Sequence, residues 1–126
     1  MHTVGKRFRF SASHQLPGLP DGHPCARLHG HNYTVEVSVT AEALVGPGFV
    51  TEFADLEPLK AYLDATFDHR HLNDVLPAPP TSENLATHLA TWFSDNLEPQ
   101  IPGSLLSVRV SETDTSWAQY TVTEPR

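Results

Sequence analysis

"HGHNYTVEVSVT", residues 29–40, alternates apolar and polar side chains from Asn32 onward. An extended strand turns successive side chains to opposite faces, so this pattern predicts a strand with one face on the core and one in water. His29 and His31 have the same parity as Tyr33 and Val35. We therefore expect both imidazoles on the core side of the strand, with Gly30 leaving room between them.

The segment from Val4 to Leu16 repeats the alternation and ends in a third histidine. Its even positions are mostly apolar: Val4, Phe8, Phe10, Ala12 and then His14. If the two strands pair antiparallel across residues 17–28, His14 approaches His29 and His31. Each histidine taken alone fits a core or surface position at least as well. Three on one face, with a fourth position open, instead indicate a catalytic zinc site.

The rest of the chain predicts two helices followed by two strands. Apolar residues at helical spacing indicate a helix from about Ala54 to Phe67, with Pro58 in its first turn. After "PAPPT", residues 77–81, a second helix runs to about Leu97, with Thr81 or Ser82 as N-cap. The last two strands present these side chains on one face each: Leu106, Val108, Val110 and Glu112, then Ala118, Tyr120 and Val122.

The order ββααββ predicts a single α+β domain over residues 1–126, with two helices on one face of a four-stranded antiparallel sheet. Eight basic and fifteen acidic residues give a net charge of -7, which argues against binding to nucleic acid or to an anionic membrane. No apolar run approaches the roughly 20 residues of a membrane span, and the N-terminus lacks a signal-peptide pattern. We expect a cytoplasmic protein with a small-molecule partner.

Cys25 is the only cysteine, so an internal disulfide is impossible. Three roles stay open. The side chain could be an inert apolar filler, a fourth ligand that makes the metal site structural, or a reactive thiol acting as a general base.

Two further places carry acid or base groups. In "FDHRHLND", residues 67–74, Asp68 could orient and charge His69, although a helix C-terminus with His71 as its capping residue explains the stretch equally well. Glu112 ends an otherwise apolar strand face and needs a partner. That partner could be a guanine-like or pterin ring edge with two N–H donors, or an internal arginine or backbone amides.

Five motifs together resemble the 6-pyruvoyltetrahydropterin synthase family. In chain order they are "FSASHQL", "HPCARLHGHNY", "FDHRHLND", "PTSENLA" and "SETDTSWAQY". The resemblance implies a tunnelling fold, in which the strands of three subunits close a barrel and two trimers stack into a homohexamer with sites between subunits. Such closure would remove the exposed edges of a small sheet.

The resemblance also implies a role for each candidate residue. It makes His14, His29 and His31 ligands of Zn²⁺, and Cys25 a catalytic base with Asp68 and His69 as its partners. Glu112 becomes the pterin anchor, and Thr81 and Glu83 part of the binding wall. Lys6, Arg27 and Arg70 are candidates for contacts to a substrate triphosphate.

The spacing from Cys25 to His31 resembles the family branch that forms 6-carboxy-5,6,7,8-tetrahydropterin for queuosine (7-deazaguanine) biosynthesis. The implied reaction is that of a lyase, which converts 7,8-dihydroneopterin triphosphate into this product, acetaldehyde and triphosphate. The pyruvoyl-forming reaction on the same substrate is one alternative. A non-catalytic pterin- or zinc-binding module, with Cys25 as fourth ligand, is another.

Overall fold

A five-stranded sheet forms one layer of the protein in a computed structural model that covers residues 1–126. Its strands are β1 (His2–His14), β2 (His29–Ala41), β3 (Arg70–His71), β4 (Ser104–Thr113) and β5 (Ser116–Thr121). Their spatial order is β3-β1-β2-β4-β5. The pairs β1–β2, β2–β4 and β4–β5 are antiparallel, whereas β3 pairs parallel to β1. The prediction of a four-stranded, purely antiparallel sheet is therefore wrong, because a fifth, short strand makes the sheet mixed.

The extra strand β3 arises where the chain leaves the first helix. The backbone N–H of His69 donates to the carbonyl oxygen of Ser11 at 2.6 Å. This bond brings Arg70 and His71 alongside Ala12 and Ser13 of β1. The expectation that His71 caps the first helix is wrong, because that helix ends at Thr66 and His71 already belongs to the sheet.

Three α-helices accompany the sheet: α1 (Glu57–Thr66), the single turn α2 (Leu72–Val75) and α3 (Ser82–Trp92). A 3₁₀ turn over Phe53–Leu56 precedes α1, and α3 continues into a π-helical turn over Phe93–Leu97. Pro58 lies in the first turn of α1, as predicted. Thr81 is the N-cap of α3, since its Oγ1 accepts from the N–H of Asn84 at 3.1 Å. No helix is long and apolar enough to cross a membrane.

The core lies between the helices and one face of the sheet and contains 24 buried apolar side chains. The register of β1 and β2 places Phe10 opposite Tyr33, Ala12 opposite His31 and His14 opposite His29. Phe10 and Tyr33 stack with ring centroids 5.0 Å apart. The alternation in both strands thus places the apolar residues on the core face, as predicted, and the histidines continue that face to the end of the strands.

A β-bulge shifts the face of β4. Ser38 pairs with Ser107 but Val39 pairs with Leu105, so Leu106 has no partner across the ladder. As a result Leu105 is buried and Leu106 is only half-buried. The prediction that Leu106 shares the core face with Val108 and Val110 is wrong, although both valines are fully buried as expected.

Two edges of the sheet lack partners within the chain. β5 pairs only with β4, and β1 is covered by β3 only at Ala12 and Ser13. Unpaired backbone groups along a strand edge are ready to pair with another strand.

Candidate metal centre and adjoining cleft

Three histidines converge at the ends of β1 and β2. One ring nitrogen from each of His14, His29 and His31 lies within 4.8 Å of the others. The Nε2 atoms of His14 and His29 are 2.8 Å apart. The structure therefore brings together the three residues that strand alternation placed on one face.

Backbone carbonyls fix how two of these rings are protonated. His14 Nδ1 lies 2.8 Å from the carbonyl oxygen of Pro80, and His29 Nδ1 lies 2.6 Å from that of Arg27. A carbonyl oxygen only accepts, so each Nδ1 carries a proton and each Nε2 of the neutral ring presents a lone pair. Two lone pairs facing each other at this distance are stabilised by a cation, and such carbonyl contacts are typical of metal-binding histidines.

His31 provides the third imidazole of the cluster. Its Nε2 is buried and has no hydrogen-bond partner. Burial is the main cause that lowers the pKa of His31; nearby Glu112 acts in the opposite direction, and His14 and His29 lower it further. A neutral ring with an unpartnered, buried nitrogen is suited to bind a metal ion. The donor set thus fits Zn²⁺ or a similar divalent ion.

Tyr33 supports the cluster from the core side. Its side chain is fully buried, and its hydroxyl oxygen lies 3.2 Å from His14 Nδ1. Burial raises the pKa of Tyr33, so the phenol stays protonated. The ring also packs beside His14 and His31 at centroid distances of 6.1 and 5.6 Å, which limits their freedom to rotate.

Cys25 lies near this cluster in sequence but is not one of its members. It belongs to a 3₁₀ turn (Pro24–Ala26) in the loop between β1 and β2, and its side chain is half-buried. Its carbonyl oxygen accepts from the N–H of Leu16 at 3.0 Å, which ties the loop back to the chain just after β1. The group of converging ligand atoms contains no sulfur.

Glu112 lies at the far end of β4, between the histidines and α3. Its Oε1 accepts from the hydroxyl of Ser82 at 2.9 Å, and its Oε2 lies 3.4 Å from His31 Nε2. Neither an arginine nor a backbone amide pairs with the carboxylate, although both were considered from the sequence. The side chain keeps 27% of its surface exposed, which leaves room for a ligand to donate to it.

A cleft of about 240 Å³ opens beside Glu112. It is lined by Ser82, Glu83, Glu112, Ser116, Trp117 and Ala118. Glu83 lines this cleft, whereas the contact that Thr81 makes is the cap of α3. Sequence reasoning weighed Ser82 only as a possible cap and missed its bond to Glu112.

Asp68 and His69 form a pair at the outer edge of β1. Asp68 Oδ2 and His69 Nδ1 are 2.9 Å apart, and Asp68 Oδ1 accepts from the N–H of Ser11 at 2.9 Å. The Ser11 bond is the larger cause that lowers the pKa of Asp68, followed by the bond from His69. His69 has a left-handed backbone with φ of 58°, and 83% of its side chain is exposed. A left-handed backbone at a residue other than glycine costs about 1–3 kcal/mol of folding free energy, and such residues cluster at functional sites.

The Asp68–His69 pair makes no hydrogen bond or ion pair with the three clustered histidines within one chain. His69 lines one cleft together with His31, Ser11 and Asn32, and the side chains of Ser11 and Asn32 bond each other at 2.7 Å. The three clustered histidines point from the core face. No hydrogen bond or ion pair joins Cys25 to Asp68 or His69.

The three candidate triphosphate contacts are dispersed. Lys6 donates to the carbonyl oxygen of Phe53 at 3.2 Å and pairs with Glu57. It lies near the start of β1, whereas His14 of the cluster is the last residue of that strand. Arg27 is exposed beside the metal centre, and Arg70 lines the cleft that contains His69.

The protein is an α+β domain with a mixed sheet, in which three converging histidines that could hold a metal ion lie next to a carboxylate in a cleft. Residues 3–123 match the family model of 6-pyruvoyl tetrahydropterin synthase, and the chain belongs to that family. The family resemblance of its motifs is thereby confirmed.

Relatives with two different names are similar to the chain. It is 41% identical over 127 residues to 6-carboxy-5,6,7,8-tetrahydropterin synthase of Synechocystis sp., covering 95% of this chain and 93% of that one. It is 35% identical over 136 residues to human 6-pyruvoyl tetrahydrobiopterin synthase, covering 93% and 89%. The solved structure of Caenorhabditis elegans 6-pyruvoyl tetrahydropterin synthase superposes with a TM-score of 0.82 at 26% identity, covering 97% and 96%. The predicted tunnelling fold is confirmed by this likeness.

Proposed function

We propose that the protein is a 6-carboxy-5,6,7,8-tetrahydropterin synthase, a cytoplasmic lyase of queuosine biosynthesis. It would convert 7,8-dihydroneopterin triphosphate into 6-carboxytetrahydropterin, acetaldehyde and triphosphate. The observation that carries the proposal is the histidine cluster with Glu112 and its cleft on the same face of the sheet. The short spacing from Cys25 to His31 and the Synechocystis relative favour this product.

Zinc is the proposed metal, and His14, His29 and His31 would hold it through three neutral imidazoles. Their converging lone pairs and the buried, unpartnered Nε2 of His31 support this assignment. When bound, zinc supplies a Lewis acid that polarises oxygen atoms of the substrate.

Glu112 is the proposed anchor of the pterin ring. Its two carboxylate oxygens can accept from two parallel N–H groups at the ring edge, which orients the ring as well as binding it. The Ser82 hydroxyl holds Oε1 in place and leaves that oxygen further lone pairs. A ring held in the cleft beside Glu112 extends its side chain toward the histidines, since Oε2 lies only 3.4 Å from His31.

Cys25 and the Asp68–His69 pair are the proposed proton-transfer groups. A thiolate at Cys25 would remove a proton from the substrate side chain, and His69 would move protons during triphosphate loss and carbon–carbon cleavage. Asp68 fixes the orientation of the imidazole through the 2.9 Å contact with His69 Nδ1.

Cys25 and the Asp68–His69 pair make no hydrogen bond with each other in one chain, and Asp68 and His69 lie at the edge of β1. We therefore propose that the site is completed by a second copy. The open edge of β1 carries Asp68 and His69, and the open edge of β5 carries the cleft residues next to Glu112. Pairing β5 of one copy with β1 of the next would place His69 of the second copy beside the cleft of the first. Three such pairings close a barrel, and two barrels would stack as a dimer of trimers.

Product analysis tests the activity. The zinc-loaded protein is incubated with 7,8-dihydroneopterin triphosphate, and the products are identified by mass spectrometry. Acetaldehyde with 6-carboxytetrahydropterin supports the proposal, whereas a pyruvoyl product selects the alternative suggested by the human relative. No turnover, together with a zinc–sulfur distance of about 2.3 Å in X-ray absorption, would select a binding module closed by Cys25.

Co-expression of two inactive variants tests the shared site. Cys25→Ala and His69→Ala each remove one group, and mixed oligomers regain sites that take the intact cysteine from one copy and the intact histidine from the next. With random mixing of equal amounts, about a quarter of the sites are complete. Recovery near that level supports the shared site, and no recovery contradicts it.

A further inference from the structure

Three arginines gather on the solvent face of the sheet, away from the histidine cluster. Arg7 and Arg9 belong to β1, and Arg109 belongs to β4. Glu36 of β2 lies opposite Arg7 on one side and opposite Arg109 on the other. The three side chains line a cavity of about 270 Å³. We call this feature the arginine face.

The contacts of the arginine face leave its terminal amino groups free. Arg7 donates through Nε to Glu36 at 2.5 Å, and Arg109 donates through Nε to Gln119 at 3.0 Å. The Arg109 guanidinium also lies 3.9 Å from the centroid of the Trp117 ring. Arg9 has no hydrogen bond or ion pair with the protein. Two guanidinium groups are thus held through Nε while their Nη donors make no hydrogen bond to the protein, which reduces the ordering needed to bind a ligand.

The charge of this face is opposite to that of the whole chain. Three of the eight basic residues line the cavity, but only two of the fifteen acidic residues do, Glu36 and Asp114. Since Arg7 already neutralises Glu36, the cavity is locally cationic in a protein of net charge -7. The hydroxyls of Thr34 and Ser111 add further donors to its wall.

We propose that the arginine face binds an inorganic oligophosphate. Several tetrahedral oxyanions in one molecule can each accept from a guanidinium, which a single carboxylate or chloride cannot match. The cavity lies on the other face of the sheet from the histidines. It adjoins the proposed reaction centre at two places, since Arg9 also lines a cleft with Asp68, and Trp117 also lines the cleft beside Glu112. The inference does not depend on the proposed function, although three copies in a closed barrel would turn their arginine faces toward one channel.

Calorimetric titration with inorganic triphosphate, without any pterin, tests the proposal. Wild-type protein is compared with Arg9→Gln, which removes the arginine that has no protein contact. The matched control is Lys60→Gln, because Lys60 is also an exposed cation and is paired with Asp64 on α1, away from the cavity. Zinc content is measured before and after titration, since triphosphate also chelates metal ions. Light scattering on the same samples records the oligomeric state.

We expect saturable binding that weakens with added salt. Arg9→Gln should lower the affinity at least about tenfold, as expected for loss of a charge-assisted hydrogen bond, while Lys60→Gln stays within about twofold of wild type. Equal affinities of the two variants would overturn the proposal, as would the absence of saturable binding at millimolar triphosphate. Heat that comes only from zinc extraction would persist in Arg9→Gln and would also overturn it.

Discussion

Glu112→Gln is the substitution that separates pterin binding from metal binding most cleanly. Glutamine keeps the length and shape of the side chain but replaces one acceptor oxygen with an amide donor. The remaining oxygen can still accept from Ser82, which now donates to Oε1 at 2.9 Å. The fold should therefore tolerate the change, with a melting temperature near that of wild type.

The cost to ligand binding follows from the number of hydrogen bonds changed. A carboxylate accepts two N–H groups of a pterin edge, and each such bond to a charged group contributes about 1.5–3 kcal/mol. The amide loses one of these bonds and turns its own N–H toward a ring donor. Because the side chain is 27% exposed, water screens part of the loss. We expect weaker binding by about 2–4 kcal/mol, which corresponds to roughly 30- to 1000-fold in Kd.

Calorimetry with a non-reacting pterin measures this affinity without catalysis. Glu42→Gln is the matched control: the same change at an exposed carboxylate that makes no hydrogen bond, just after β2 and at the end of that strand opposite to His29, should alter Kd by less than about threefold. Zinc content is measured in both variants and should stay near wild type. Unchanged pterin affinity in Glu112→Gln would refute the anchoring role, and loss of zinc from that variant would show that Glu112 serves the metal centre instead.

Four further perturbations test the site and the fold. His31→Ala should lose most bound zinc while the protein remains folded, measured by metal analysis and circular dichroism, because an open site is not the main source of stability; full zinc occupancy would remove His31 from the ligand set. Cys25→Ala should keep its zinc but lose turnover by about 10²–10⁴-fold. Loss of zinc together with turnover would identify Cys25 as a metal ligand. Burial lowers the pKa of His88 from its ordinary value of 6.5, so the folded state binds a proton less readily than the unfolded state. The free energy of unfolding should therefore fall as pH drops below about 6.5, by at most ~1.4 kcal/mol per pH unit. Thermal melts of His88→Gln should show a flatter dependence on pH, and an unchanged dependence would exclude His88 as the cause. Gly103→Ala should destabilise the fold by about 1–3 kcal/mol in denaturant melts, because a Cβ there would clash with the Val39 side chain and lie 2.8 Å from Thr51 Oγ1. An unchanged stability would show that β2 and the segment before β4 can move apart enough to accept the methyl group.

Periodicity predicted most of the fold because most of it is periodic. The four longer strands and the two longer helices were recognisable from their spacing of apolar residues. β3 was missed, since two residues contain no period and depend on the backbone bond from His69 to Ser11. The bulge at Leu106 was missed because both Leu105 and Leu106 are apolar, so either could have faced the core.

The site was predictable where it follows strand geometry. His14, His29 and His31 were found because alternation determines their common face. The carbonyl groups of Pro80 and Arg27 that orient two of these rings could not be predicted, because every residue has a backbone carbonyl and its side chain does not mark this role. The position of Asp68 and His69 at the edge of β1 was also not predictable from the sequence, since it depends on backbone contacts with Ser11.

The bond from His14 to the Pro80 carbonyl has a consequence for the order of events during synthesis. The three histidines lie within the first 31 residues, but the carbonyl that orients His14 comes from the loop before α3. A nascent chain that has exposed only β1 and β2 holds all three imidazoles and the Tyr33 hydroxyl, 3.2 Å from His14 Nδ1, but lacks the Pro80 carbonyl, which lies closer at 2.8 Å. The carbonyl contact that fixes the His14 tautomer forms only after residue 80 has left the ribosome. If the three histidines hold a metal ion as proposed, the site that binds it is complete only at a late stage of folding.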